Sequence, residues 1–252
     1  MWTWAEVNQM KFAAHKTQIM TISRRRDRDS TTNLFPFRLG GEEISEVRHL
    51  KLLGVDFDQG GSSKGQVQAK AASAAKMVGL LRRQSRYLSE SARHHIYISC
   101  IRPIMQYCSP VFCNAPAGSK DLLDRVQSRA CSLFPSKKHL LDPLSLRREV
   151  AGLCVLHSLV HGHAPPLVKR QLSVNPICPS RATRGSESNL AALQVPKCRT
   201  EFFKESFMPN NIRSWNSIDQ GVLLEPSVKR FKSELAKHLR NTAQIRPSGC
   251  PA

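Results

Sequence analysis

Acidic residues are scarce in this 252-residue chain: 19 Asp and Glu stand against 38 Lys and Arg, giving a formal charge of +19 and a pI near 10.1. That is far from the balance of an ordinary soluble enzyme. The shortage is also uneven. Residues 1–60 carry nine Lys or Arg against eight Asp or Glu, which leaves 29 against 11 downstream. Basic surface on this scale favours a polyanionic partner, most simply nucleic acid, because cations that neutralise phosphates release condensed counterions. An anionic membrane surface is the weaker alternative, since no single helix sets bulky apolar residues opposite the lysines.

Other features are missing too. No apolar run reaches the roughly 18 residues of a membrane span, and no charged-then-apolar start marks a signal peptide. The eight cysteines, at 100, 108, 113, 131, 154, 178, 198 and 250, contain no Cys-x-x-Cys pair. Several fall on apolar helical faces, where a free thiol acts as a small hydrophobe, so a reduced, intracellular setting is expected rather than a disulfide framework. Cys178 and Cys198 lack the paired Cys and following His of a zinc knuckle. Gly-rich phosphate loops, nucleophile elbows and zinc-protease signatures are absent, and so is any Asp-Asp dipeptide.

What is present is helical periodicity. Between Gln66 and Arg86, Val67, Ala71, Ala74, Val78 and Leu81 mark one buried face, while Lys70, Lys76, Arg82, Arg83 and Arg86 stay mostly outside. Ser89 N-caps a second helix with Ala92, Ile96 and Cys100 on one apolar face and Tyr97 and Ile101 beside them, which Pro103 is expected to end or kink. After a turn punctuated by Pro110, Pro116 and Gly118, Leu122, Leu123, Val126, Ala130 and Leu133 form the stripe of a third helix, with Lys120, Arg125 and Arg129 on its wet side. A fourth is expected to start with Asp142 as N-cap and Pro143 in its first turn, and to close at Gly162. Its His157 and His161, four apart, share a face that suits a metal. No carboxylate or second Cys stands at ligand spacing, so a core or surface role is the preferred reading. Thr200 caps a short helix, Phe203, Phe207 and Trp215 are expected in the core, and Pro226 opens a last helix with Val228, Phe231, Leu235 and Leu239 inside.

The start of the chain reads as extended. Thr17–Ser23 alternates as a strand, residues 34–39 make a second extended piece ending at Gly40, and the run to Phe57 turns through Gly54 as a tight hairpin. Gly54, with no Cβ, also allows backbone to approach a sugar-phosphate closely; an ordinary edge turn is the alternative. Asp56 and Asp58, two apart on a strand, share a face.

The segments RRQSRYLSESARHHIY, IRPIMQYCSPVF and LLDRVQSRA occur in an order and spacing that resemble the region just beyond the palm in reverse transcriptases of non-LTR (LINE, jockey-like) retrotransposons. The likeness continues into LSLRREVAGLCVLHSLVHG and VPKCRTEFFKESFMPNNIRSWNSI, and back into MKFAAHKTQIMTISR and LKLLGVDFD, covering about Trp4 to Leu239. Phe112 stands where the family usually has Trp, and QGGSSKGQ after Asp58 departs from its pattern. The resemblance implies an α+β, predominantly α fold: a small antiparallel palm-remnant sheet with a primer-grip-like hairpin (1–60), a thumb-like helical domain (61–163) and a basic C-terminal region (164–252).

It further implies primer-template contacts, to an RNA–DNA hybrid or RNA, through Leu53 and Gly54 of the grip, the cations of the first helix, Arg125, Arg129, and an Arg-x-Thr-Arg-like element at Arg181 and Arg184. Each cation alone reads as a solvated face; collectively, with so little acid nearby, they favour a backbone-contacting surface. The family's catalytic aspartates are missing, and Met1 falls just after the place expected for the Ala-Asp-Asp hairpin. The expectation is therefore a truncated, catalytically inactive fragment with no cofactor of its own, magnesium belonging only to a full-length parent. A domesticated helical interaction module and the product of a decayed reading frame are the alternatives.

Overall fold

The computed structural model describes residues 2–23, 37–171 and 191–245. The protein is α+β and predominantly helical, and forms two compact units, Met1–Ala69 and Lys70–Ala252.

In the first unit, helix α1 (Trp2–Val7) precedes two separate antiparallel hairpins. Strands β1 (Arg38–Leu39) and β2 (Glu42–Glu43) turn through Gly40 and Gly41, both at positive φ. Strands β3 (His49–Leu52) and β4 (Val55–Asp58) pair Leu52 with Val55 across Leu53–Gly54. Gln66 is buried and its Oε1 accepts from the Asp56 amide at 3.1 Å, holding the start of the next helix to β4. The strand expected at Thr17–Ser23 does not form. Ile19 makes one parallel bridge to Glu46, and Ile22 is 61 % exposed. Alternation without a buried face leaves nothing for a strand to pack on.

Helix α2 (Lys64–Gln84) runs across the boundary between the units with Val67, Ala71, Ala74, Val78 and Leu81 all buried, as their spacing predicts. Ser89 Oγ then accepts from the Ala92 amide and caps α3 (Glu90–Ile96). Pro103 does not end the rod. A π-helical turn at Tyr97–Ile101 joins α3 to α4 (Arg102–Gln106), and Pro103 sits in the first turn of α4. The wider turn gives room for a residue that cannot donate a backbone hydrogen bond and whose ring crowds the preceding carbonyl. Tyr97 and Ile101 are fully buried in this turn, whereas Cys100, expected on the apolar face with Ala92 and Ile96, is exposed: the wider turn brings Tyr97 and Ile101 to the core instead. A left-handed Cys108 (φ 56°) redirects the chain towards α5 (Ala117–Cys131).

Helix α6 (Leu144–Val160) starts one residue later than Asp142 suggested: Pro143 occupies the N-cap, and Asp142 instead binds arginines. At its end Gly162 adopts φ 78°, the left-handed closure its position predicts. The short helices α7 (Pro166–Gln171), α8 (Glu201–Lys204) and α10 (Gln220–Leu223) connect to α9 (Phe207–Asn216) and α11 (Val228–Ile245). Leu153, Leu156 and Leu159 of α6 meet Ile212 and Trp215 of α9 and Phe231 and Leu235 of α11 in one core. Trp215 donates to the Ala191 carbonyl at 2.8 Å, and the Asn216 amide both donates to and accepts from Leu193 backbone. Phe207 packs on this core and Trp215 lies within it, whereas Phe203 is 43 % exposed. The first turn of so short a helix turns it outward.

His157 is at the centre of that core. Its ring stacks on Phe231 and on His161, each at 4.1 Å between centroids. Nε2 lies 2.7 Å from the Glu225 carbonyl, so it carries the proton, and Nδ1 is buried with no partner among the described residues. His161 reaches the Leu223 carbonyl at the end of α10, and His163 the Pro226 carbonyl in the loop that follows. Burial lowers the pKa of His157, and the nearby His161 and His163 lower it further, against the raising effect of Glu225. His94, edge-on to Phe134, is lowered by burial, then by Lys137, His95 and Arg102.

Two outcomes follow from this packing. Both histidines bind their protons more weakly folded than unfolded, so their stabilisation is complete above about pH 6.5 and is lost as pH falls below it. The melting temperature should drop between about pH 6.5 and 5, above the carboxylate range, and His157→Gln should flatten that drop; a flat wild-type profile would contradict it. Second, a Cβ at Gly152 would run into Asn211 Oδ1, whose amide donates to the Phe207 carbonyl at 2.7 Å. Gly152→Ala should destabilise by about 1–2 kcal/mol in urea denaturation, because overpacking outweighs the gain of about 1 kcal/mol in helix propensity.

Candidate nucleic-acid interface

Leu53 and Gly54, with φ of 48° and 77°, form a turn of the I′ kind between β3 and β4. Its twist matches that of the strands. Gly54 takes the left-handed conformation freely; Leu53, 83 % exposed, gains no burial to offset it. This turn lies in the Met1–Ala69 unit, apart in sequence from the expected cations of the second unit.

On α2, Lys76 and Arg83 are seven residues apart and so share a stripe directly opposite the buried alanines. Arg82, next to the buried Leu81, is exposed at one edge of the buried side and away from that stripe. Lys70 flanks the buried side and places Nζ 4.8 Å from the centre of the Tyr107 ring. Arg86, beyond the end of α2, lies over Tyr87 at 4.7 Å. These pairings hold cations against aromatic faces. Arg125 and Arg129 project together from one turn of α5, with Asp121 a turn before them. Lys120 is not on the wet side: its Nζ donates to the Cys113 carbonyl at 2.6 Å. Lys76, Arg82, Arg83, Arg125 and Arg129 form no ion pair with a described carboxylate. Arg181 and Arg184 lie outside the described residues.

Sequence spacing did not reveal a second cationic surface. A cleft of about 640 Å³ runs between α6 and α11. Its walls are apolar, with Leu146, Val150 and Ala236, while Arg147, Lys229, Lys232, Lys237 and Arg240 line it with positive charge. Asp142 is its one acidic lining residue. Arg240 grips that carboxylate with both arms of the guanidinium, Nε to Oδ1 at 2.7 Å and Nη2 to Oδ2 at 2.9 Å, and Arg147 approaches Oδ2 at 3.8 Å. The Arg240 hydrogen bonds and charge, with Arg147 and Arg102, hold the Asp142 carboxyl below its ordinary range against the opposing effect of burial.

Arg102, half-buried, is in turn depressed by desolvation and by the like charge of Arg147. Behind the cleft, the Asp142 carbonyl accepts from Gln127, whose Oε1 accepts from the Tyr97 hydroxyl at 2.9 Å. The residues could not have been paired from sequence, since Asp142 and Arg240 are 98 positions apart. Locally, Asp142 reads only as the cap of α6.

Asp58, one of the two strand carboxylates, accepts from the Ser62 amide at 2.8 Å and shapes the turn after β4. Among the described residues no three His, Cys, Asp or Glu side chains gather as metal ligands, and no helix is long and apolar enough to cross a membrane. Comparison with protein-family models, with curated proteins and with solved structures finds no match for this chain.

The turn gives a direct check on backbone strain at Leu53. Leu53→Asn, which tolerates the left-handed region, should stabilise the β3–β4 hairpin by about 1 kcal/mol. Slower amide exchange at Leu52 and Val55 would show this; unchanged or faster exchange would contradict it.

Proposed function

We propose that this chain carries the palm-end, thumb and C-terminal region of a non-LTR retrotransposon reverse transcriptase and holds a primer-template duplex by its sugar-phosphate backbone, without the metal-binding aspartates of polymerisation. The observation that carries the reading is the arrangement of cations on α2 and α5. Buried alanine and leucine stripes turn Lys76, Arg83, Arg125 and Arg129 outward, and no described carboxylate neutralises them. The ordered motif series from Arg82 to Ala130 supplies the family, and the surplus of cations beyond residue 60 supports a polyanionic partner.

Backbone contacts of this kind are electrostatic and sequence-tolerant. No polymerase activity is expected of this chain alone. A labelled RNA–DNA hybrid should bind at low salt, with log affinity falling linearly against log salt. The double variant Lys76→Glu, Arg83→Glu should weaken binding about tenfold or more and reduce the slope by about two, roughly one for each phosphate that is no longer neutralised. Absence of binding at low salt, or binding indifferent to salt, would defeat the proposal. A protein partner that survives nuclease and high salt would favour the interaction-module alternative instead.

A further inference from the structure

We infer that the cleft between α6 and α11 is a seat for a backbone phosphate of the bound nucleic acid, and that Asp142 occupies that seat in the free protein. This rests on the nucleic-acid reading above and assigns that reading a specific site. Three features of the cleft converge on it. Its cations come from both walls, Arg147 on α6 and Lys229, Lys232 and Arg240 on α11, so an anion between the walls meets charge from two sides. Lys229 and Lys232 are exposed and form no ion pair among the described residues, whereas Lys237 is partly satisfied by Glu234 at 3.0 Å.

The cleft also holds donors in excess of acceptors: Arg147 Nε and Gln106 Nε2, both shielded from solvent, have no acceptor among the described residues. Finally, the Arg240 fork already binds an oxyanion. The two parallel bonds to Asp142 have the geometry that guanidinium offers equally to carboxylate and to phosphate. One backbone phosphodiester matches the carboxylate in charge and in its two charged oxygens, but a strand brings neighbouring phosphates with it, so Arg240, Arg147 and the unpaired lysines can be engaged together. Docking therefore exchanges the ion pairs of Asp142 with Arg240 and Arg147 for intermolecular ones that also take in Lys229 and Lys232. The seat is half closed until a polyanion competes for the arginines, which disfavours weak monovalent anions.

The test compares wild type, Asp142→Asn and Lys229→Glu/Lys232→Glu as full chains. Each is titrated with a labelled RNA–DNA hybrid by fluorescence anisotropy at several salt concentrations, and each is melted. Removing the competing carboxylate should tighten binding about tenfold and steepen the salt dependence by about one to two, as freed arginines engage phosphate. Reversing the two exposed lysines should weaken binding at least tenfold and make the slope shallower, with an unchanged melting temperature. If wild type binds the hybrid in a salt-dependent way but the lysine variant binds as wild type does, the seat is wrong while the broader reading stands. If wild type fails to bind at low salt, the broader reading has failed first. A well-folded Asp142→Asn protein that binds no tighter would also overturn the inference. Should that variant lose its fold, the lysine reversal alone decides.

Discussion

The packing of α6 against α9 and α11 is the constraint from which the larger unit takes its form. Leu153, Leu156, Trp215, Phe231 and Leu235 are almost wholly removed from water, and full burial of side chains this size contributes about 1.5–3 kcal/mol each before chain entropy is counted. Favourable terms of that size are needed in a chain with so large a surplus of like charge, since repulsion among the cations opposes compaction. A buried neutral His157, hydrogen-bonded to the loop before α11, fixes how that last helix enters the core. Acid therefore acts on the same contact that holds the bundle together.

Once α11 is seated, its polar face is fixed relative to α6, and this creates the basic cleft. Alternation of inside and outside along α11 puts Phe231 and Leu235 in the core and leaves Lys229 and Lys232 along the rim. Asp142 then answers part of the charge. Its position between α5 and α6, braced by Gln127 and through it by Tyr97, connects the π-helical turn to the cleft by side-chain hydrogen bonds. Exposed ion pairs contribute little to stability; this one matters more for where it places two guanidinium groups.

Much of this was legible in the sequence because amphipathic periodicity is a local property. The buried stripe of α2, the Leu123, Val126 and Ala130 part of that of α5, Phe231 and Leu235 of α11, the Ser89 and Thr200 caps, the Gly162 closure and the Leu53–Gly54 turn follow from residue types at short spacing, while Leu122, Val228 and Leu239 are half-buried and Leu133 lies beyond α5. Misreadings arise where a local rule meets a tertiary alternative. Pro103 does not end the helix, because a π turn directly before it takes up the disruption, and Asp142 stands where a cap belongs but has arginines to bind. Thr17–Ser23 alternates without a face to bury, and Phe203 turns outward from a helix of one turn. Individual exposed cations are visible from the sequence, but the cleft is not. It depends on Arg147, Asp142 and Arg240 meeting across a fold, and no spacing rule spans that distance.

On the proposed function, nucleic acid would lie against particular cationic faces of this protein rather than against its charge at large. Lysine acylation footprinting with and without an RNA–DNA hybrid reads that contact residue by residue. The account predicts strong protection of Lys76, Lys229 and Lys232, with Lys11, Lys16 and Lys51 of the near-neutral first unit reacting as before. Equal protection of every lysine, or none at Lys76, Lys229 and Lys232 while the hybrid remains bound, would contradict it.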